Sequence, residues 1–307
     1  MKHAFLLLSI ITCLCINIIH AQTTYPFVQR DTTLSLDIYY PARPNGYTII
    51  HIFGGGFISG SRTNKWDADY CRQLTDSGYT AIAIDYRLGL RGVKKVGLGN
   101  VSALEYAFYL AAQDCSAAIA YLVKNADQLH IDAGKIIIEG SSAGAIAALM
   151  TEYGRCNRLT CTAELPDGWK PAAIVAYSGA IYSKQDKIRW DYDTPAPILL
   201  FHGTADKIVT YDKIKFGKLG LYGANAIVKQ IDKRNLPYTV YRYTDLGHEV
   251  SIAGPITMDE LNLFVKQYVI EKKQRHTDIT QRDDAYPPSE YSNKTTKDLY
   301  NNNREDL

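Results

Sequence analysis

Short apolar runs alternate with longer helical patterns along most of this chain. Thr33 to Tyr40 alternates apolar and polar residues and ends at Pro41, the pattern of a half-exposed strand. Tyr47 to Phe53 is β-branched and apolar and stops at three glycines. Residues 66–76 have helical spacing and end at Ser77-Gly78, and Tyr79 to Asp85 again has the character of a buried strand. A glycine-rich, basic loop runs from Leu88 to Gly99, and residues 102–126 follow as a long helical pattern. Lys135 to Glu139 predicts a short strand and residues 143–152 a helix. Ala172 to Tyr177, Pro197 to His202 and Tyr238 to Tyr243 predict further strands, with helices over 224–234 and from Met258 to Ile270. Strands apolar on both faces, alternating with helices, predict an α/β fold. Its central sheet is mostly parallel and covered by helices on both faces, in three layers.

The two ends depart from this pattern. Lys2 and His3 precede an apolar run from Ala4 to Ile19, and His20-Ala21-Gln22 follows. A basic start, an apolar stretch and a small residue predict a secretory signal over residues 1–21, cleaved after Ala21. The expected location is therefore secreted or periplasmic. An uncleaved anchor is the alternative, but the run falls short of the ~20 apolar residues of a spanning helix. From Lys272 onward polar and charged residues dominate, with Pro287-Pro288 among them. Such a tail buries too little apolar surface to offset its ordering, so residues 272–307 are expected to be disordered or loosely docked. Residues 22–271 are left as one domain.

Composition narrows the function classes. Hydrophobic residues make up 46% of the 307, enough for a sizeable core. A net charge of +2 with only short basic clusters gives no electrostatic case for nucleic acid. No stretch after the signal is long and apolar enough to insert stably in a membrane. Cys156 and Cys161 enclose a short polar segment and are the best candidates for a disulfide in an exported protein, with free thiols the alternative. Cys71 and Cys115 lie in helical apolar patterns and are expected as buried thiols. No cysteine pair has zinc-ligand spacing with a histidine.

The candidate chemistry centres on Gly140-Ser141-Ser142-Ala143-Gly144, between a predicted strand and a predicted helix. In a tight strand-to-helix turn the central serine takes a strained backbone, and its neighbours must be small because main chain crowds there. The helix start also brings N–H groups and a positive dipole end beside the serine. A plain small-residue packing turn is the bland alternative. Phe53-Gly54-Gly55-Gly56-Phe57 ends an early strand, and its glycines can aim N–H groups at a ligand. The N–H groups of Gly55, Gly56 and Ala143 are the candidate oxyanion donors, each able to supply roughly 3–4 kcal/mol in an acyl transfer. A nucleotide-binding loop is disfavoured, because neither Gly-Lys-Ser/Thr nor a Gly-x-Gly-x-x-Gly register follows.

A serine nucleophile needs a base, and the base an orienting carboxylate. Asp206 and His248 each lie just past an apolar strand, in the loops where active sites of open α/β sheets gather. Asp245 and Glu249 are competing acids, but they sit very near His248 in sequence. His51 and His202 are read as strand or turn residues. The candidate catalytic set is Ser142, Asp206 and His248.

With these residues the sequence resembles the esterase/lipase branch of the α/β-hydrolase superfamily, near the hormone-sensitive-lipase-like and small carboxylesterase families. The resemblance runs over about residues 33–271. It rests on Leu36-Asp37-Ile38-Tyr39-Tyr40-Pro41, the Gly54 to Phe57 loop, Asp85-Tyr86-Arg87-Leu88, Gly140 to Gly144, His202 to Asp206 and Gly247-His248. It implies a serine carboxylic ester hydrolase that needs no metal or organic cofactor and acts on a small-molecule or glycan ester. Two residues depart from the pattern: Phe53 stands where the family usually has histidine, and Ser141 where the hormone-sensitive-lipase-like branch usually has aspartate. A serine peptidase of the same fold and a silent binding protein remain as alternatives. An exported esterase rich in tyrosine suits acetylated or feruloylated glycans, whose sugars stack on aromatic rings.

Overall fold

A computed structural model describes residues 22–94, 96, 100–282 and 292–301. The expected signal, residues 1–21, lies outside the described residues. The central sheet has nine strands: β1 (Gln22–Gln29), β2 (Thr33–Tyr39), β3 (Thr48–Ile52), β4 (Thr80–Ile84), β5 (Ile136–Ser141), β6 (Ala173–Tyr177), β8 (Ile198–Gly203), β11 (Tyr238–Tyr243) and β12 (His276–Gln281). Their order is β1-β2-β4-β3-β5-β6-β8-β11-β12. β2 pairs antiparallel with both β1 and β4, and every other pairing is parallel.

Alternate side chains of these strands enter two separate cores. Ile50, Ile52, Ile138 and Leu200 face the helices α2 (Val101–Lys124), α3 (Ala143–Asn157) and α4 (Ala224–Asp232). Ile49, Ile137, Leu199 and Phe201 face α1 (Lys65–Asp76) and α5 (Met258–Phe264). This is the predicted three-layer arrangement. Three short strands, β7 (Ala180–Ser183), β9 (Lys213–Phe216) and β10 (Leu219–Gly223), form a small antiparallel sheet in the order β7-β10-β9. No apolar run announced them, because lysines interrupt β9, glycines interrupt β10 and β7 has only four residues. No helix among the described residues is long and apolar enough to cross a membrane.

Two expectations are corrected. The polar tail is structured in two places. β12 extends the sheet, and it is held by polar pairing more than by apolar burial. Asp278 accepts from the Arg242 guanidinium at 2.6 and 2.9 Å, Thr277 bonds the Tyr268 hydroxyl at 2.7 Å, and His276 stacks on Tyr238. A short helix α6 (Thr296–Asn301) follows, capped by Thr295 and Asp298, whose side chains and backbone N–H groups bond each other reciprocally. The second correction concerns Cys156 and Cys161, which are both free thiols. Cys156, near the end of α3, directs its sulfur toward Glu152 and Arg155, while Cys161 packs on Gly154. Cys71 and Cys115 are buried thiols, as expected. Thiol titration of the denatured, unreduced protein should therefore detect all four of these cysteines; a deficit of two would restore the bridge.

Candidate active site

Ser142 stands between β5 and α3 with φ 51° and ψ −113°. Such a left-handed backbone costs a non-glycine residue about 1–3 kcal/mol, and it persists only where surrounding structure enforces it. The enforcement is steric and hydrogen-bonded. A Cβ on Gly144 would lie 1.9 Å from the Ile52 carbonyl oxygen, and one on Gly140 would lie 2.3 Å from the Gly144 carbonyl group. No side chain fits either place, which explains both glycines of the motif. The Ser142 N–H donates to the Tyr177 carbonyl at 2.8 Å, and the Ser141 hydroxyl donates to the Ser251 carbonyl at 2.6 Å. The turn is thus tied to β6 and to the loop that carries His248.

The structure brings the three candidate catalytic residues together. Ser142 Oγ is 2.7 Å from His248 Nε2, and His248 Nδ1 is 2.8 Å from Asp206 Oδ2. With Nδ1 donating to the carboxylate, Nε2 is the free acceptor for the serine proton. Asp206 Oδ1 accepts from the Ile208 and Val209 N–H groups at 2.9 and 3.0 Å. Burial alone raises the Asp206 pKa. The adjacent His248 and His202, with their hydrogen bonds, outweigh it and hold the carboxyl well below its usual range. The anion is therefore stable beside the imidazole. The Thr204 and Ala205 N–H groups donate to the Tyr243 and Leu246 carbonyls, so the acid and base loops are fastened to each other.

The rival residues lie elsewhere or serve other ends. Asp245 pairs with Arg282, and Glu249 accepts from the Gly247 N–H at 2.8 Å. His202 donates through Nε2 to the Val209 carbonyl at 3.1 Å, bracing the Asp206 loop.

Gly55 and Gly56, at φ +121° and +63°, form the turn after β3. A Cβ on Gly55 would lie 2.1 Å from the Ser59 carbonyl oxygen, so a side chain has no room. Gly54 lies against Ser141 and Ser142, and both Gly55 and Gly56 border the cleft at Ser142. Ala143 borders the adjoining cavity at Ser142 from the helix side. The three N–H groups predicted as oxyanion donors thus belong to residues around one serine.

Four loops build this site, and each leaves the carboxyl end of a parallel strand: β3, β5, β8 and β11. A protein-family model described as BD-FAE matches residues 36–181. An arylesterase from Saccharolobus solfataricus is 37% identical over 140 residues, which are 45% of this chain and 40% of that protein. An ethyl acetate hydrolase from Pseudomonas putida is 28% identical over 137 residues, 43% of this chain and 37% of that protein. The chain spans no more than about two fifths of the length of these curated relatives. A propionate-bound esterase from Thermogutta terrifontis superposes with a TM-score of 0.59 at 20% identity, covering 80% of this chain and 94% of that one. The chain has the fold of this esterase. None of these three relatives singles out the hormone-sensitive-lipase-like branch.

At the end of β3, the departure at Phe53 is filled by stacking. The Phe53 ring lies 4.5 Å from Tyr86, and the Tyr86 hydroxyl donates to the Phe53 carbonyl at 3.0 Å. Tyr86 therefore supports the glycine loop, and its place in Asp85-Tyr86-Arg87 was the available signal. Arg62 links Asp37 and Asp85, and Arg87 links to the fully buried Asp114, so the shared acidic and basic motif residues brace the scaffold. The segment 292–301, which also borders the cleft, was missed because its composition is that of a tail.

Beneath the site, His51 of β3 is held between two carboxylates: Glu139 of β5 at 2.6 Å and Asp67 of α1 at 2.6 Å. Burial opposes its charge, but Glu139 and Asp67 outweigh burial and raise the His51 pKa to about 10. An unfolded histidine loses its proton near 6.5. The stability contributed by this ion is complete below pH 6.5 and is lost as pH rises through about 10, at up to about 1.4 kcal/mol per pH unit. Denaturant unfolding at about pH 7 and about pH 9.5 should show this alkaline loss, and Glu139→Gln, lacking the strongest charge that raises the pKa, should show a smaller one. Equal losses would remove His51 as the cause.

Proposed function

We propose that the protein is a serine carboxylic ester hydrolase that acts through an acyl-enzyme on short-chain acyl esters. The observation that carries this reading is the continuous chain Ser142 Oγ–His248 Nε2 and His248 Nδ1–Asp206 Oδ2, at 2.7 and 2.8 Å. His248 Nε2 takes the Ser142 proton as Oγ bonds the ester carbonyl carbon. The carbonyl π electrons move to oxygen, and the N–H groups of Gly55, Gly56 and Ala143 receive that oxyanion. The tetrahedral intermediate collapses, His248 gives its proton to the departing alkoxide, and the acyl group stays on Oγ. Water, deprotonated by His248, then attacks the acyl carbon, and the acid leaves as Oγ regains its proton. Asp206 keeps the imidazole in the required tautomer and stabilises its cation throughout.

The names of the arylesterase and ethyl acetate hydrolase relatives agree with an ester substrate. Acylated glycans are the extended substrate class of this proposal, supported by Trp66, which borders the cleft at Ser142. Export remains part of the proposal, resting on the sequence of residues 1–21. Sequencing the amino terminus of protein recovered outside the cytoplasm tests it: Gln22 is the expected first residue, and an intact leader would contradict it. For the chemistry, Ser142→Ala should lower kcat/KM on p-nitrophenyl acetate by at least about a thousandfold with the fold intact. Near-normal turnover by that variant would end the assignment.

A further inference from the structure

The segment 292–301 lies across the active-site mouth and touches three of the loops that build it. One end rests on the loop after Asp206. There the Thr296 N–H donates to the Lys207 carbonyl at 3.2 Å, and its hydroxyl lies 3.1 Å from both the Lys207 and Ile208 carbonyls. The other end rests on the glycine loop, where the Tyr300 hydroxyl donates to the Gly56 carbonyl at 3.4 Å and Leu299 covers Gly56. Beside the base, the Ser292 carbonyl oxygen is 2.7 Å from where a Gly247 Cβ would stand.

Two cavities open from Ser142, one on each side of this segment. The first, about 420 Å³, is walled mainly by apolar residues such as Phe108, Ile146, Val209 and Leu221. The second, about 430 Å³, presents Asn64, Asp67, Ser251 and Lys294 together with Trp66. Among the described residues, Gly56, Ser142 and Leu299 alone border both. Gly56 and Ser142 belong to the reacting centre, so Leu299 is the side chain that separates the two spaces. His248 borders the second cavity and not the first. Because the base must hand a proton to the leaving oxygen, the alcohol of an ester lies on the His248 side. The acyl chain then falls into the apolar cavity.

Resting on the esterase reading above, we propose that α6 partitions the mouth into an acyl side and an alcohol side, with Leu299 setting acyl-chain selectivity. The preferred substrates join an apolar acyl chain longer than acetyl to an alcohol bearing further hydroxyl groups. Leu299 supplies the wall against which the added methylenes are buried. On the other side, the polar lining of the second cavity, including Ser251 beside the base, suits an alcohol with hydroxyl groups better than a plain alkyl one.

The test compares kcat/KM for p-nitrophenyl butyrate and acetate. Two methylenes buried in the first cavity should favour butyrate by roughly tenfold in the wild type. Leu299→Ala and the polar, similarly sized Leu299→Asn should each reduce that preference to about two- or threefold, and Leu299→Met, which keeps the apolar volume, should restore most of it. Thermal melts of the three variants separate a selectivity change from unfolding. With the acyl group held at butyryl, the wild type should favour the glyceryl ester over the n-propyl ester by about fivefold. An Ala or Asn variant that turns over with the wild-type acyl preference, or a wild type that prefers the propyl ester, overturns the partition while leaving an esterase. A wild type that hydrolyses no ester overturns the esterase reading and the partition together.

Discussion

Gly144 lies so close to the end of β3 that a methyl group there would sit 1.9 Å from the Ile52 carbonyl oxygen. That approach lets α3 begin directly over the sheet edge. It leaves Ser142 no ordinary backbone conformation, and the serine is held at φ 51° with its hydroxyl facing His248. The same crowding brings the helix start, with the Ala143 N–H, beside the glycine loop that continues from Ile52. Nucleophile, base contact and oxyanion donors therefore share one steric cause. A larger residue at position 144 would displace all of them at once.

The sheet supplies the rest by register. β3, β5, β8 and β11 run parallel, so the loops that leave them emerge along one edge. Buried polar groups fix this edge from below. His51 joins its ladder partner Glu139 and reaches Asp67 near the start of α1, while Arg62 bridges Asp37 and Asp85. Charges buried in this way are costly unless paired, and each has its partner from a different element. These pairs hold strand ends and helix ends in place beneath the loops, and the Asp206 carboxylate above them stays ionised beside His248.

Much of this was legible in the chain. Tyr47 to Phe53 and Tyr79 to Asp85 are mostly apolar on both faces because β3 and β4 lie inside the sheet, and such runs mark buried strands directly. Ser142, Asp206 and His248 could be found because each follows such a run in chain order. What escaped was held by interactions that composition does not report. β12 relies on backbone pairing and on Arg242–Asp278, so its sequence has the character of a polar tail. Lysines break up β9, glycines break up β10, and β7 has only four residues. α6 did carry one, the Thr295 to Asp298 cap, but with so few residues it was lost among its polar neighbours. Cys156 and Cys161 are near in sequence, yet the helix that ends between them commits the two sulfurs to different surroundings.

The central claim is that Ser142 is a nucleophile activated through His248 by Asp206. Covalent labelling with diisopropyl fluorophosphate, read by peptide mass spectrometry, tests it most directly, because the reagent captures an activated serine whatever the natural ester is. The account predicts one adduct, on the peptide carrying Ser142, and labelling slowed by orders of magnitude in Asp206→Asn, where the imidazole loses its orienting anion. An adduct on another residue, or none on the folded wild-type protein, would contradict it.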